Sequence, residues 1–175
     1  PPAMAALSAA ESSLVASQTT GFGQTLAPAG DVNGDGLADI LIGDGVNGVV
    51  YVVFGQTGPL GQDWDVAQLR QPTQSSRGVV FTTGIGGDSL GAFVAAAGDV
   101  NGDGVGDLLI GADNAAHQGH LYLIQGRRRW PGGVRDVAAD ASARLPINLA
   151  GAGFSGVGDV NGDQLADFAV ADPNN

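Results

Sequence analysis

The 175-residue chain has no cysteine, no lysine and one glutamate, Glu11. Without cysteine there are no disulfides, thiolate zinc sites or cysteine nucleophiles; the redox compartment stays open, because an exported chain can fold without disulfides. Without lysine, seven arginines face 18 acidic residues and the formal charge is −11. No basic face can be assembled to displace counterions from a phosphate backbone, which argues against a nucleic-acid partner. No run approaches the roughly 18 to 20 apolar residues of a membrane-spanning helix, so membrane insertion is not expected. Residues 1–10 lack the basic stretch of a signal peptide; if the protein is exported, its signal has been removed. Helical periodicity over about 11 or more residues is also missing, a short Ala-rich piece near residues 5–14 excepted.

What is abundant is glycine, with 30 residues, and aspartate, with 17. The glycines recur between apolar runs, as turns do in an all-β protein, and 43% hydrophobic content is enough for a real core in one domain. The near-exclusive choice of Asp over Glu points to tight turns, to hard-cation chelation, or to both.

The sequence Asp-Val-Asn-Gly-Asp begins at 31, at 99 and at 159, spaced 68 and 60 residues apart. Around it the three copies align without a gap. Glycines stand eight residues before (Gly23, Gly91, Gly151) and one residue before (Gly30, Gly98, Gly158), with Leu26, Val94 or Phe154 between them. After each loop comes an apolar run (Ile40 to Ile42, Leu108 to Ile110, Phe168 to Val170) and then small or turn-forming residues. Two units continue with a segment bounded by glycines, 48–55 and 119–126, in which Tyr51 and Tyr122 align. Asp65-Val66-Ala67 is echoed by Asp136-Val137-Ala138, and outer strands are expected at 78–83 and, more weakly, at 145–149. Four short strands per unit of about 60 residues are the pattern of propeller blades. The units are 12–77, 78–142 and an incomplete third at 143–175, after a linker or partial strand at 1–11. The small residues Ala95-Ala96-Ala97-Gly98 suit an innermost strand, where blades crowd together.

In the first loop, oxygen-bearing side chains stand at positions 1, 3, 5 and 9: Asp31, Asn33, Asp35 and Asp39. Ca²⁺ takes about six to eight oxygens, and side chains at 1, 3 and 5 with a carbonyl at 7 and glycine at 6 are the EF-hand arrangement. Here the carbonyl belongs to Leu37, and the final carboxylate comes at 9, suiting a loop between adjacent strands. The second set is Asp99, Asn101, Asp103, the Val105 carbonyl and Asp107; the third is Asp159, Asn161, Asp163, the Leu165 carbonyl and Asp167. The third has Gln164 where the others have glycine. If that position needs a positive φ, the substitution costs about 1 kcal/mol, so the third Ca²⁺ site is expected to be the weakest. Filling three sites would move the formal charge from −11 to −5 and relieve carboxylate repulsion. The competing readings are ordinary tight hairpins, which do not account for an Asp at position 9 in every copy, and Mg²⁺, which prefers a rigid octahedron with several waters.

These residues resemble the FG-GAP repeats of integrin α-subunit propellers and of their bacterial relatives. Phe22-Gly23 stands in the FG place and Gly43-Asp44-Gly45 in the GAP place. The second copy has Leu90-Gly91 and Gly111-Ala112-Asp113; the third has Ala150-Gly151 and Ala171-Asp172-Pro173. The resemblance implies a seven-bladed, calcium-stabilised, extracellular or cell-surface propeller used for adhesion or ligand recognition. Seven blades would need roughly 420 residues, so further blades are expected from the same parent chain or from another copy.

The resemblance thus implies a non-catalytic module that recognises a protein or carbohydrate ligand; the alternative is a structural or accessory module of a larger secreted enzyme or fibre. The only histidines, His117 and His120, lie where a turn is expected and lack any accompanying nucleophile elbow, phosphate loop or zinc spacing. Arg127, Arg128, Arg129 and Trp130 form the one basic aromatic cluster, read either as a solvated loop or as a contact surface for an anionic partner or sugar, with Trp130 stacking. Trp64 is either a packing residue or a sugar platform.

Overall fold

The computed structural model describes residues 12–16, 20–58, 61–83, 88–113, 118–148 and 152–172. Strand β1 (Ser12–Val15) precedes β2 (Thr25–Gly30), β3 (Asp39–Asp44), β4 (Val49–Val53), β5 (Gly61–Asp65) and β6 (Gly78–Thr82). There follow β7 (Phe93–Gly98), β8 (Asp107–Ala112), β9 (Gln118–Ile124), β10 (Val134–Asp136), β11 (Ala143–Asn148), β12 (Gly153–Gly158) and β13 (Asp167–Ala171). Of the short Ala-rich piece at 5–14, residues 12–14 are described, and they belong to strand β1, which pairs in parallel with β5. The rest of that piece and the segment 1–11 lie outside the described residues.

The strands form all-β, open, four-stranded antiparallel blades. One sheet has the order β6-β4-β3-β2, and a second the order β11-β9-β8-β7; β12 and β13 make a two-stranded hairpin. The short β10, from the second unit, joins the outer edge of the first sheet parallel to β6. Register repeats along with sequence: Ile42 faces Tyr51 as Ile110 faces Tyr122, and Leu26 faces Ile42 as Val94 faces Ile110 and Phe154 faces Val170. The sheets and the sequence units are offset. Gly78–Thr82 is the fourth strand of the first sheet and Ala143–Asn148 the fourth of the second, so cuts at 78 and 143 fall between strands of one sheet.

Both complete sheets are covered on both faces, which explains why β4 is a continuous apolar run with all five residues buried. Between them pack Leu41, Val50, Val52 and Phe81 from one sheet and Leu108, Ile110, Tyr122 and Ile124 from the other. The other face of the first sheet (Ile42, Tyr51, Val53, Val80) is covered by Trp64, Val66 and Leu69 from the β5–β6 connection. That connection begins at Asp65, whose side chain accepts from the Ala67 N–H, and the one-turn helix Val137–Asp140 begins likewise at Asp136. The echoed Asp-Val-Ala triplets are therefore helix caps with a buried valine. The far face of the second sheet, through Ala97, Leu109 and Leu121, meets Phe154 and Phe168 of the hairpin. Strand β7 packs between β2 and β12, so the small residues of β7 lie where the blades crowd, as expected. The hairpin is the exposed member: Val157, Val160 and Val170 are open to solvent.

Candidate metal centre

Each Asp/Asn loop joins the first and second strands of its sheet at the same rim. It is entered through a register shift next to a left-handed glycine: Gly30 (φ 77), Gly98 (φ 83) and Gly158 (φ 73). The bend turns the chain out of the ladder and into the loop.

Inside the loops the three copies share one hydrogen-bond pattern. Asp31 Oδ1 accepts from the N–H groups of Gly34 (2.6 Å) and Asp35 (3.1 Å), and Oδ2 accepts from Gly36 (2.7 Å). Asp99 does the same with Gly102 (2.7 Å), Asp103 (3.1 Å) and Gly104 (2.8 Å), and Asp159 with Gly162 (2.6 Å), Asp163 (3.2 Å) and Gln164 (2.9 Å). These N–H bonds, that of Gln164 foremost, hold the Asp159 carboxyl below the usual carboxylate range. Asn33, Asn101 and Asn161 accept from the N–H two residues on, and so do Asp35, Asp103 and Asp163. The sixth position is left-handed in every copy: Gly36 (φ 88), Gly104 (φ 79) and Gln164 (φ 73), the one non-glycine with positive φ among the described residues.

The ninth-position carboxylates differ in their surroundings. Asp39 accepts from Val32 N–H at 2.8 Å and from Gly55 N–H, after β4, at 2.7 Å; Asp107 accepts from Val100 (2.9 Å) and from Gly126, after β9 (2.8 Å). Both are buried, at 2% and 0% exposure. Burial pushes Asp39 up to about 6, against the opposing pull of the Gly55 and Val32 N–H bonds, with repulsion from Asp35 and Asp31 adding to the rise. Asp107 is raised for the same leading reason. Asp167 keeps the internal bond, from Val160 at 2.9 Å, but is half-buried and has no counterpart of Gly55 or Gly126 among the described residues.

Neighbouring loops are also stitched together. Gly106 N–H, at position 8 of the second loop, donates to Asp31 carbonyl at 2.7 Å, and Ala166 N–H, at position 8 of the third, donates to Asp99 carbonyl at 2.8 Å. The first loop is held further by the segment after Gly126. Arg127 N–H and Trp130 Nε1 donate to the Val32 carbonyl at 3.1 and 3.0 Å, and Arg128 Nη1 to the Gly34 carbonyl at 3.3 Å.

The donor set is all oxygen: three carboxylates and an amide within nine residues, with the Leu37, Val105 or Leu165 carbonyl at the seventh place. This composition fits a hard cation such as Ca²⁺. Most of the carboxylate oxygens take a single N–H bond and keep a second acceptor site. Among the described residues, however, no three Asp, Glu, His or Cys side chains are gathered in a ready-made cage; the loop carboxylates are turned onto their own backbone.

The structure also decides the remaining candidates. Trp130 is not a solvated or stacking residue: it is 5% exposed, lies in the core between the sheets and meets Phe81 edge-on. Arg127 covers its ring and pairs with Asp140, while Arg128 and Arg129 are exposed. Trp64 is a packing residue, 8% exposed, with Arg77 over its ring. His120 sits in strand β9 and not in a turn, half-buried, with Arg144 against it; desolvation and that arginine depress its pKa. His117 lies outside the described residues. The roles of the Gly55 and Gly126 N–H groups escaped sequence reasoning; the only signal was that both glycines close the aligned apolar segments.

The FG-GAP repeat family model matches residues 22–53 and 91–124, the loops and first three strands of the two complete sheets. The chain is 32% identical over 169 residues to integrin alpha-PS2 of Drosophila melanogaster, covering 85% of this chain and 11% of that protein. It is 27% identical to integrin alpha-PS5 of Drosophila melanogaster (87% and 15% covered) and 29% identical to integrin alpha-3 of Cricetulus griseus (85% and 14% covered). The chain thus spans between 11% and 15% of the length of these relatives. Matching sheets, matching loops and relatives aligned along most of its length identify the chain as an FG-GAP repeat protein, of the integrin alpha-like β-propeller family.

Proposed function

We propose that the chain is an extracellular, non-catalytic recognition or adhesion module whose loop rim is held by calcium. The observation that carries this reading is the threefold recurrence of one acceptor-rich loop on blades similar to those of integrin alpha chains. Asp31, Asn33, Asp35, Asp39 and the Leu37 carbonyl would hold one ion; Asp99, Asn101, Asp103, Asp107 and the Val105 carbonyl a second; and Asp159, Asn161, Asp163, Asp167 and the Leu165 carbonyl a third, weakest one. Bound calcium supplies positive charge to loops that otherwise concentrate three carboxylates each. The residues themselves fix the loop path, through the position-1 carboxylate, and tie it to the sheet, through the position-9 carboxylate. A rigid rim then leaves the other loops free to meet a protein or glycan partner.

Thermal melting in calcium against EDTA tests the metal: a rise in melting temperature that Asp35→Ala and Asp103→Ala each reduce supports it, and identical curves refute it. Binding to panels of matrix proteins and glycans, with and without chelator, tests recognition. A blank panel favours the alternative, an accessory module of a larger secreted enzyme or fibre.

A further inference from the structure

Beside the first loop, on the same rim, lies an open cleft of about 400 Å³, within the size range of small-ligand sites. It is lined by the loop itself, through Asn33 and Asp35, and by Arg128 and Arg129. Ser75 and Ser76, from the turn before β6, edge it, and the buried rings of Phe54 and Trp130 form its floor. Arg128 is already committed to the Gly34 carbonyl. Arg129 is exposed and makes no hydrogen bond or ion pair among the described residues. In a chain with a formal charge of −11 and seven arginines, two consecutive arginines line this cleft, next to Arg127, which is paired with Asp140.

We propose that this cleft binds a singly charged sugar acid, its carboxylate taken by the Arg129 guanidinium and its hydroxyls by Ser75, Ser76 and the Asn33 side chain. The guanidinium fork matches a carboxylate in two parallel hydrogen bonds. Arg128, whose partner is an uncharged carbonyl, and Arg129 bring two positive charges against the one negative charge of Asp35, and the single net positive charge balances one carboxylate, not the double charge of a phosphate. The lining of two hydroxyls and an amide suits a molecule bearing many hydroxyls. The proposal rests on the calcium reading in one respect. Asp35 opposes an anion while the first loop is metal-free, and a bound cation cancels that opposition, so calcium in the loop controls the affinity of the cleft.

The test is calorimetric titration of the whole chain with a glucuronic-acid-terminated trisaccharide, its neutral glucose-terminated analogue and a short peptide ending in a free carboxylate. Each is run in calcium and in EDTA, with calcium-induced melting shifts recorded on the same preparations. The expected result is binding of the acidic sugar in calcium, weakened about tenfold or more by Arg129→Ala, as for loss of a charge-assisted hydrogen bond. Arg129→Lys should restore part of it, and EDTA should weaken it in the parent chain. Equal binding of acidic and neutral sugars, capture of the peptide but not the sugar, or an Arg129→Ala variant as tight as the parent overturns the proposal. A normal calcium melting shift with no sugar binding overturns the cleft and leaves the calcium reading standing. Sugar binding unchanged by EDTA, with no melting shift, strikes the calcium reading and the proposed control of the cleft, while the sugar site survives.

Discussion

The first and third loops are the same object in different surroundings. Their internal hydrogen bonds agree to within about 0.2 Å, and both place the sixth residue in the left-handed region. Yet the first is tied to its own sheet through Gly55, to the second loop through Gly106 and to the 127–130 segment through Val32 and Gly34. The second has the Gly126 tie and a bond from Ala166. Among the described residues the third has its internal bonds and the Ala166 link it donates. Local sequence therefore sets the path of a loop, and neighbouring strands decide how rigidly that path is held and how far its last carboxylate is buried.

The largest expected effect comes from removing what holds the first loop from outside. Trp130→Ala deletes a ring buried between the sheets and the Nε1 bond to the Val32 carbonyl, and should lower unfolding free energy by about 3 to 5 kcal/mol in a denaturant titration. If loop rigidity comes from neighbours, calcium affinity of the first loop should fall in that variant while that of the third is unchanged. Equal effects on both would break the comparison.

Next come the ninth-position carboxylates. Asp107→Ala leaves the Val100 and Gly126 N–H groups without their acceptor, a loss of about 2 kcal/mol after allowing for relief of a buried charge. Asp167→Ala frees only the Val160 N–H, which water reaches, and should cost less than about 1 kcal/mol. Urea midpoints of the two variants, measured in EDTA, give the difference directly.

The same contrast has a pH signature. With Asp39 raised to about 6 from 3.8, the folded chain holds a proton that the unfolded chain has released. The associated stability is fully present below about 3.8 and is lost as pH rises through about 6. Metal-free protein should therefore melt at lower temperature at pH 7 than at pH 5. Asp39→Asn should reduce that slope, and adding Asp107→Asn, whose carboxyl burial also raises, should reduce it further. Saturating calcium, which favours the ionised carboxylates, should flatten or reverse the slope in the parent chain.

What could be read from the sequence followed from repetition. Three aligned Asp-Val-Asn-Gly-Asp copies located the loops, their flanking strands and the innermost position of Ala95 to Ala97, because each of those depends on contacts a few residues long. Three features showed in part or not at all. The outer strands at 78–83 and 145–149 are expected, but unit bounds at 78 and 143 separate β6 and β11 from the sheets they close, because strand pairing across a long connection leaves no local mark where a sheet ends. The burial of Trp64 and Trp130 depends on which sheet faces which connection. The Gly55 and Gly126 donors stand 16 and 19 residues beyond their aspartates, so a search for equal spacing passes over them.

The smallest effect concerns position six. Gly36 and Gly104 adopt positive φ without the Cβ penalty, whereas Gln164 adopts φ 73 with it. Gln164→Gly should stabilise the third loop by about 1 kcal/mol, less the added freedom that glycine gives the unfolded chain. Gly104→Gln should destabilise the second by a similar amount. Site-resolved calcium titration of both variants then separates two sources of weakness in the third loop. If Gln164→Gly brings its affinity level with the second, backbone strain alone distinguished them. If a gap remains, it belongs to Asp167, which has no counterpart of the Gly126 tie among the described residues, because the bonds to the position-1 carboxylates of the two loops are already alike.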